Sequence, residues 1–152
     1  MTGSKITASH LAKHIIAECN LHGKTISNLK LQKLLYYAQA WHLAFESKPL
    51  FADRIEAWVH GPVVPTVFRE YREFKWSPLT AQCEDRPSND VAQHAQKVLD
   101  AYGNFDASQL ERMTHGEDPW REARSGLPDD VGSTREISWE AMRKYFSARL
   151  DG

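Results

Sequence analysis

Apolar residues recur at helical spacing along most of the chain, and this pattern predicts a mainly helical protein. The longest periodic stretch runs from about Asn28 to Glu46, where apolar side chains follow one another three and four positions apart. Aromatic residues widen its apolar surface beyond one stripe, which predicts a central helix buried on more than one side. The stripe comprises Leu31, Leu34, Leu35, Ala38, His42 and Phe45, and the aromatic residues beside it are Tyr36, Tyr37 and Trp41.

Shorter periodic segments predict the helices that pack around this central one. Several begin at residues that favour a helix start, such as Thr7, whose side chain can accept an N–H, and Pro65. The segments run over about 9–20, 65–74, 90–102, 107–114 and 138–150, with a further turn at 118–124. In the final segment the spacing places Trp139, Met142, Phe146 and Leu150 on one inward face.

The segment from Arg54 to His60 alternates between the two sides of an extended chain, which predicts a half-buried strand. Gly61-Pro62 is predicted to end it. Because a strand needs a partner, we expect an extended segment near residues 76–82 to pair with it. The predicted fold class is therefore mainly α (α+β). It is a compact bundle of about five to six helices around a central helix, with a small β element near residues 54–60.

Composition and charge narrow the classes of function. The chain has 152 residues, which predicts a single domain over 1–152, and its formal net charge is −1. That charge gives no strong attraction to nucleic acid or to an anionic membrane. Cys19 and Cys83 fit no disulfide framework, so we expect a cytoplasmic location. The N-terminus lacks the apolar core of a signal peptide, and no apolar run reaches the length of a membrane span.

The histidines suggest two kinds of chemistry. Cys19 and His22 have the spacing of one metal-ligand pair, but structural zinc needs four ligands and the sequence has no second pair. We therefore expect no metal and no cofactor. The other hypothesis is an acid–base cluster, which would form if the chain breaks beside His60 and His115 met in space. Its members would be His60, His115 and Asp118, with Arg121 beside them. Alternatively, these side chains only hydrogen-bond exposed backbone at the breaks, which is the interpretation we favour.

A nucleic-acid-binding regulator is a further alternative. Lys24, Lys30 and Lys33 bring positive charge to the start of the central helix, and Arg69 and Arg72 add charge on the helix predicted from Pro65. The aromatic residues of the central helix could stack on bases. However, the chain as a whole is not basic, and the same aromatic residues are explained more simply as core. The sequence therefore does not favour nucleic acid as the partner.

Four segments together resemble the Panacea, or SocA-like, domain family of bacterial and phage proteins. LKLQKLLYYAQAW at 29–41 is similar to the central helix of the family. PLF at 49–51 and IEAWVHGPVVPTVFREY at 55–71 are similar to its strand and Gly-Pro turn. MTHGEDPWREAR at 113–124 resembles its Thr-His…Pro-Trp segment, and ISWEAMRKYF at 137–146 resembles its closing helix.

The resemblance implies a non-enzymatic antitoxin that neutralises a cognate toxin protein by direct contact. One relative also implies an adaptor role, in which the antitoxin delivers the toxin to a bacterial ATP-dependent protease. Other members of the family are phage-associated proteins. It supplies no catalytic residues. Aromatic and Arg side chains are the usual anchors of protein interfaces. The predicted partner-binding residues are Trp58, His60, Arg69, Trp76, His115, Trp120 and Arg121.

Overall fold

The computed structural model describes residues 6–150. Within this range, seven α-helices and a short 3-10 turn at Arg72–Phe74 accompany one small sheet. None of these helices combines the length and apolar character needed to cross a membrane. The helices are α1 (Ala8–Leu21), α2 (Asn28–Glu46), α3 (Pro65–Glu70), α4 (Asn89–Tyr102), α5 (Ala107–His115), α6 (Asp118–Arg124) and α7 (Trp139–Ser147). The strands are β1 (Ile55–Trp58), β2 (Gly61–Val63) and β3 (Glu136–Ile137).

The predicted fold class is confirmed, with α2 at its centre. Every residue from 31 to 40 is buried, and α1, α3, α4, α5, α7 and β2 all pack against this helix. Ser27 begins the helix by accepting a hydrogen bond from the Lys30 backbone N–H at 3.2 Å. The helix ends at Ser47, which adopts a left-handed conformation. The described residues form seven α-helices where the sequence predicted about five to six, because the turn predicted at 118–124 is a helix of its own.

Local hydrogen bonds explain where the surrounding helices begin. Thr7 caps α1 by accepting from the His10 N–H at 3.1 Å, as the sequence predicts. Asp106 and Gln109 exchange side-chain and backbone hydrogen bonds at the start of α5, which satisfies two N–H groups that lack helical partners. Pro65 and Pro119 occupy first-turn positions of α3 and α6, where a missing N–H costs nothing.

The sheet corrects the predicted strand pairing. Its order is β2-β1-β3 and both pairs are antiparallel, so residues 76–82 are not the partner of β1. Gly61 has a φ of 108° and lies opposite Trp58, so the chain reverses at once and continues as β2. Pro62 is tolerated because β2 is an edge strand and needs no donor there. The 76–82 segment instead meets the α1–α2 connection, where the Leu79 N–H donates to the Ile26 carbonyl at 2.8 Å.

Three residues predicted to point into the core are exposed at or beyond helix ends. Phe45 is 55% exposed, while Trp139 and Leu150 are each 43% exposed. Phe45 is the second-last residue of α2, Trp139 is the first residue of α7, and Leu150 lies beyond the end of α7 at Ser147. Phe45 therefore stacks on Trp41 at a ring-centroid distance of 5.8 Å instead of entering the core. Met142 and Phe146, in the middle of the α7 pattern, are buried as predicted.

Candidate protein-binding surface

Polar side chains lie buried along α2, whose other inward positions are apolar. The amide of Gln39 accepts from the backbone N–H of Leu50 at 2.7 Å and of Phe51 at 3.3 Å, and it donates to the Phe51 carbonyl at 2.7 Å. A buried backbone group without a partner costs roughly 1–3 kcal/mol, so this amide fixes the segment that leads into β1. The buried polar residues of the helix are Asn28, Gln32, Lys33, Gln39 and His42.

The start of α2 positions α3 in the same way. The Gln32 amide accepts from the Val64 N–H at 2.9 Å and donates to the Asn28 side-chain oxygen at 2.9 Å. Asn28 in turn donates to the Phe68 carbonyl at 3.1 Å. This chain of hydrogen bonds fixes α3, which carries the exposed Arg69.

Lys33 lies under the β-hairpin and is only 1% exposed. Its Nζ donates to the Pro62 carbonyl at 3.5 Å. Burial lowers the pKa of this ammonium to about 7, and the negative charge of Glu111 acts in the opposite direction. A Cβ at Gly61 would lie 2.6 Å from Lys33 Cε, so only glycine permits this close packing.

Two of the three lysines considered for nucleic-acid binding at the start of α2 are engaged by the fold. Lys33 is buried, and Lys30 Nζ donates to the Gly103 carbonyl at 2.6 Å. Tyr36 and Tyr37 are fully buried, so no base can stack on their rings. Lys33, Tyr36 and Tyr37 therefore serve mainly to hold the fold together, whereas Lys24, Arg69 and Arg72 are exposed.

Glu117 precedes α6 and joins it to the central helix. The Tyr36 hydroxyl donates to one carboxylate oxygen at 2.9 Å, and the Tyr37 hydroxyl donates to the other at 2.8 Å. Burial raises the pKa of Glu117 to about 7, against the two hydrogen bonds and the charge of Arg149, which lower it. Burial and then the charge of Glu117 raise the pKa of both tyrosines, so both remain hydroxyl donors near neutral pH.

Two side chains of α6 hold strand β1. The Trp120 indole N–H donates to the Trp58 carbonyl at 2.8 Å, and the Arg124 guanidinium donates to the Ala57 carbonyl at 3.0 Å. Arg124 also donates to two carbonyls of the loop that follows α6. The His115 ring stacks on the Trp120 ring, with the two centroids 4.0 Å apart and the planes at 13° to each other. The segment that resembles the family's Thr-His…Pro-Trp pattern therefore holds strand β1 in place.

Five of the predicted partner-binding residues lie around the β1–β2 turn, in a region we call the hairpin corner. Its members are Trp58, His60, His115, Trp120 and Arg121. The Arg121 guanidinium donates to the His115 carbonyl at 3.2 Å, and both Arg121 and His60 are exposed. Trp120 is 1% exposed, so it supports this surface from beneath and does not offer its ring to a partner.

The other two predicted residues lie on a separate element. Arg69 is exposed on α3, and Trp76 is exposed in the turn that follows the 3-10 helix. The ring of Trp58 connects α3 to the sheet, because it packs edge-on against Phe68 at a centroid distance of 5.1 Å.

The acid–base cluster of His60, His115 and Asp118 does not assemble. Within residues 6–150, no hydrogen bond or ion pair joins any two of these side chains. His60 Nδ1 lies 3.3 Å from a Glu111 carboxylate oxygen instead. Burial lowers the pKa of His115, whereas the charge of Glu111 and the Val59 backbone raise it. The geometry therefore does not support the enzyme hypothesis that the sequence left open.

The isolated Cys19/His22 pair gains no further ligands in the fold. Cys19 is buried, and the His22 ring lies 2.9 Å from the Glu18 carbonyl of its own helix. Across residues 6–150, no group of three or more His, Cys, Asp or Glu side chains is placed to hold a metal ion.

The sequence did not reveal the buried polar residues that join the elements to one another, chiefly Gln39, Glu117 and Arg124. The signal for Gln39 was present, because an amide at an inward position of an apolar helix needs a buried partner. Glu117 and Arg124 carried no comparable signal, since charged residues within a few positions of a Gly or a Pro are ordinary in exposed turns.

These contacts define a mainly helical domain in which one central helix fixes a β-hairpin and two short helices through buried polar side chains. The chain belongs to the SocA-like antitoxin family: the family model described as Antitoxin SocA-like, Panacea domain, matches residues 31–121. Antitoxin SocA of Caulobacter vibrioides (strain NA1000 / CB15N) is 33% identical over 135 residues, which cover 80% of this chain and 72% of that protein. No solved structure matches the chain. The family resemblance drawn from the sequence is confirmed.

Proposed function

We propose that this protein is an antitoxin that neutralises a cognate toxin in the cytoplasm by binding it directly. The observation that carries the proposal is its similarity to an antitoxin over most of both chains. The fold is consistent with this role, because its buried polar residues hold the framework and leave aromatic and basic side chains at the surface. Such side chains supply most of the binding energy in protein interfaces.

Co-expression with the product of the adjacent reading frame tests the proposal. If that product is toxic alone, this protein should restore growth and co-purify with it as a stable complex. His60→Ala and His115→Ala variants provide the comparison with an enzyme, once their melting temperatures show that they fold. Loss of growth rescue in both variants, with the complex still formed, would favour catalysis over binding.

A proteolytic-adaptor role is a separate part of the proposal and needs its own measurement. The half-life of the toxin with a purified bacterial ATP-dependent protease should shorten when this protein is added. An unchanged half-life in a mixture where the complex forms would contradict the adaptor role. Neutralisation by direct binding would stand in that case.

A further inference from the structure

Trp76 is the most exposed large apolar side chain of the described residues, at 77%. It lies in a tight turn closed by a hydrogen bond from the Ser77 N–H to the Phe74 carbonyl at 2.8 Å. Lys75, the second residue of this turn, has φ 54° and ψ −114°, a conformation that turns of this kind usually assign to glycine. The turn that exposes Trp76 therefore contains a residue with a strained backbone conformation.

Both ends of this turn are fixed to the core. Before it, Tyr71 is buried and its ring contacts that of Phe74 at a centroid distance of 6.1 Å. After it, Leu79 is fully buried and hydrogen-bonds the Ile26 carbonyl. The indole is therefore presented on a short segment held at both sides, which reduces the entropy lost when a partner immobilises it.

The segment that leads into Trp76 carries three cationic side chains. Arg69, Arg72 and Lys75 follow one another at three-residue intervals along α3, the 3-10 turn and the residue after it. All three are exposed, and none forms an ion pair within residues 6–150. Of the acidic residues in the same stretch, Glu70 lies 3.5 Å from Lys13, which leaves Glu73 as the nearby negative charge.

We infer that Trp76, with Arg69, Arg72 and Lys75, is the anchor that binds the toxin, and that it enters an apolar pocket rimmed by carboxylates on the toxin surface. This inference rests on the proposed antitoxin function. Charge complementarity fixes the chemistry of the partner, because three unpaired cations favour an acidic rim. A protein fits better than nucleic acid, since Glu70 and Glu73 interrupt the row and the whole chain has a net charge of −1.

Trp76→Ala tests the apolar part of this anchor. Its affinity for the toxic product of the adjacent reading frame should fall by ~30-fold or more, the size typical of a buried Trp anchor. The melting temperature should not change, because the ring contributes little to the core. Trp139→Ala is the matched control, since Trp139 is also an exposed tryptophan but lies on α7. It should bind as tightly as the wild type.

Arg72→Glu tests the acidic rim. The association rate should fall by ~10-fold at low salt, and the difference from the wild type should shrink as salt screens the charges. Lys97→Glu is the control, because it makes the same change of net charge at an exposed position of α4.

The outcomes separate this inference from the function on which it rests. If the wild type does not bind the toxic product, the antitoxin proposal fails and the inference fails with it. If the wild type binds and Trp76→Ala binds equally well, the inference alone is overturned. It is also overturned if Trp76→Ala loses affinity only for single-stranded DNA or RNA.

Discussion

Glu117 is a carboxylate whose environment makes fold stability depend on pH. It lies buried between the hydroxyls of Tyr36 and Tyr37, and burial raises its pKa to about 7 from an ordinary value of 4.5. Between pH 4.5 and 7 the folded protein therefore holds a proton that the unfolded chain has released. Stability conferred by this group is fully present below pH 4.5 and is lost as the pH rises through 7.

Replacing Glu117 by Gln should remove this pH dependence. From pH 4.5 to 7 the free energy of unfolding of the wild type should fall, relative to that of the variant, by up to roughly 3 kcal/mol. Chemical denaturation at several pH values measures the difference. Glu122→Gln, at an exposed position on α6, should behave like the wild type. Equal slopes for wild type and Glu117→Gln would show that Glu117 titrates normally.

Lys33 should make the free energy of unfolding change with pH in the opposite direction, at higher pH. Burial lowers its pKa to about 7 from 10.5, so the unfolded chain holds the extra proton between these values and stability rises with pH. From pH 7 to 9.5 the free energy of unfolding of the wild type should rise by up to roughly 3 kcal/mol relative to Lys33→Met. Lys97→Met is the exposed control. A variant that keeps the wild-type slope would contradict the burial of Lys33.

At the residue scale, the sequence predicted apolar burial better than polar burial. Leu31, Leu34 and Leu35 are fully buried as their spacing requires. Lys33 was considered only as positive charge at the start of the helix, and a charged residue is rarely buried without a partner. Its actual neighbours come from the hairpin at 61–62, which is distant in sequence, so no local pattern could reveal them.

At the scale of elements, the β-hairpin depends on one glycine. Gly61 has a φ of 108°, and a Cβ there would lie 2.6 Å from Lys33 Cε and 2.9 Å from Thr114 Oγ1. Gly61→Ala should therefore destabilise the fold by roughly 2–5 kcal/mol, through backbone strain and displaced side chains together.

Gly23→Ala measures the cost of a positive φ at a position without a close contact. Gly23 also has a positive φ, 69°, but no atom lies within 4 Å of a Cβ placed there. Its substitution should cost only the conformational strain, about 1–2 kcal/mol. Thermal or chemical denaturation of both variants gives the comparison. Equal losses would mean that the contact of Gly61 with α2 and α5 contributes nothing.

Helices were more predictable than strand pairing for a physical reason. The bounds of α2 follow from its own periodicity and its Ser27 cap, which are local in sequence. Strand β1 was also recognisable, from the alternation around Ile55. Its second partner, β3, is only two residues long and lies about 80 residues away, so the alternation of β1 contained no information about it.

At the scale of the whole molecule, the fold separates the side chains that hold it together from those that stay exposed. Side chains that the sequence offered as partner-binding residues, such as His115 and Trp120, hold α6 against the sheet. Exposed groups such as Arg121 and Trp76 remain available to a partner. The sequence alone indicated the family but not this division, because the burial of Trp120 depends on contacts with β1.

Stoichiometry is the most direct test of neutralisation by binding. Purified toxin, held at a concentration well above the dissociation constant, is titrated with this protein while toxin activity is measured. Inhibition should rise linearly and stop at a fixed molar ratio, without change on longer incubation, because each toxin molecule needs its own bound antitoxin. Inactivation of many toxin molecules by one molecule of this protein, increasing with time, would contradict the account and identify an enzyme.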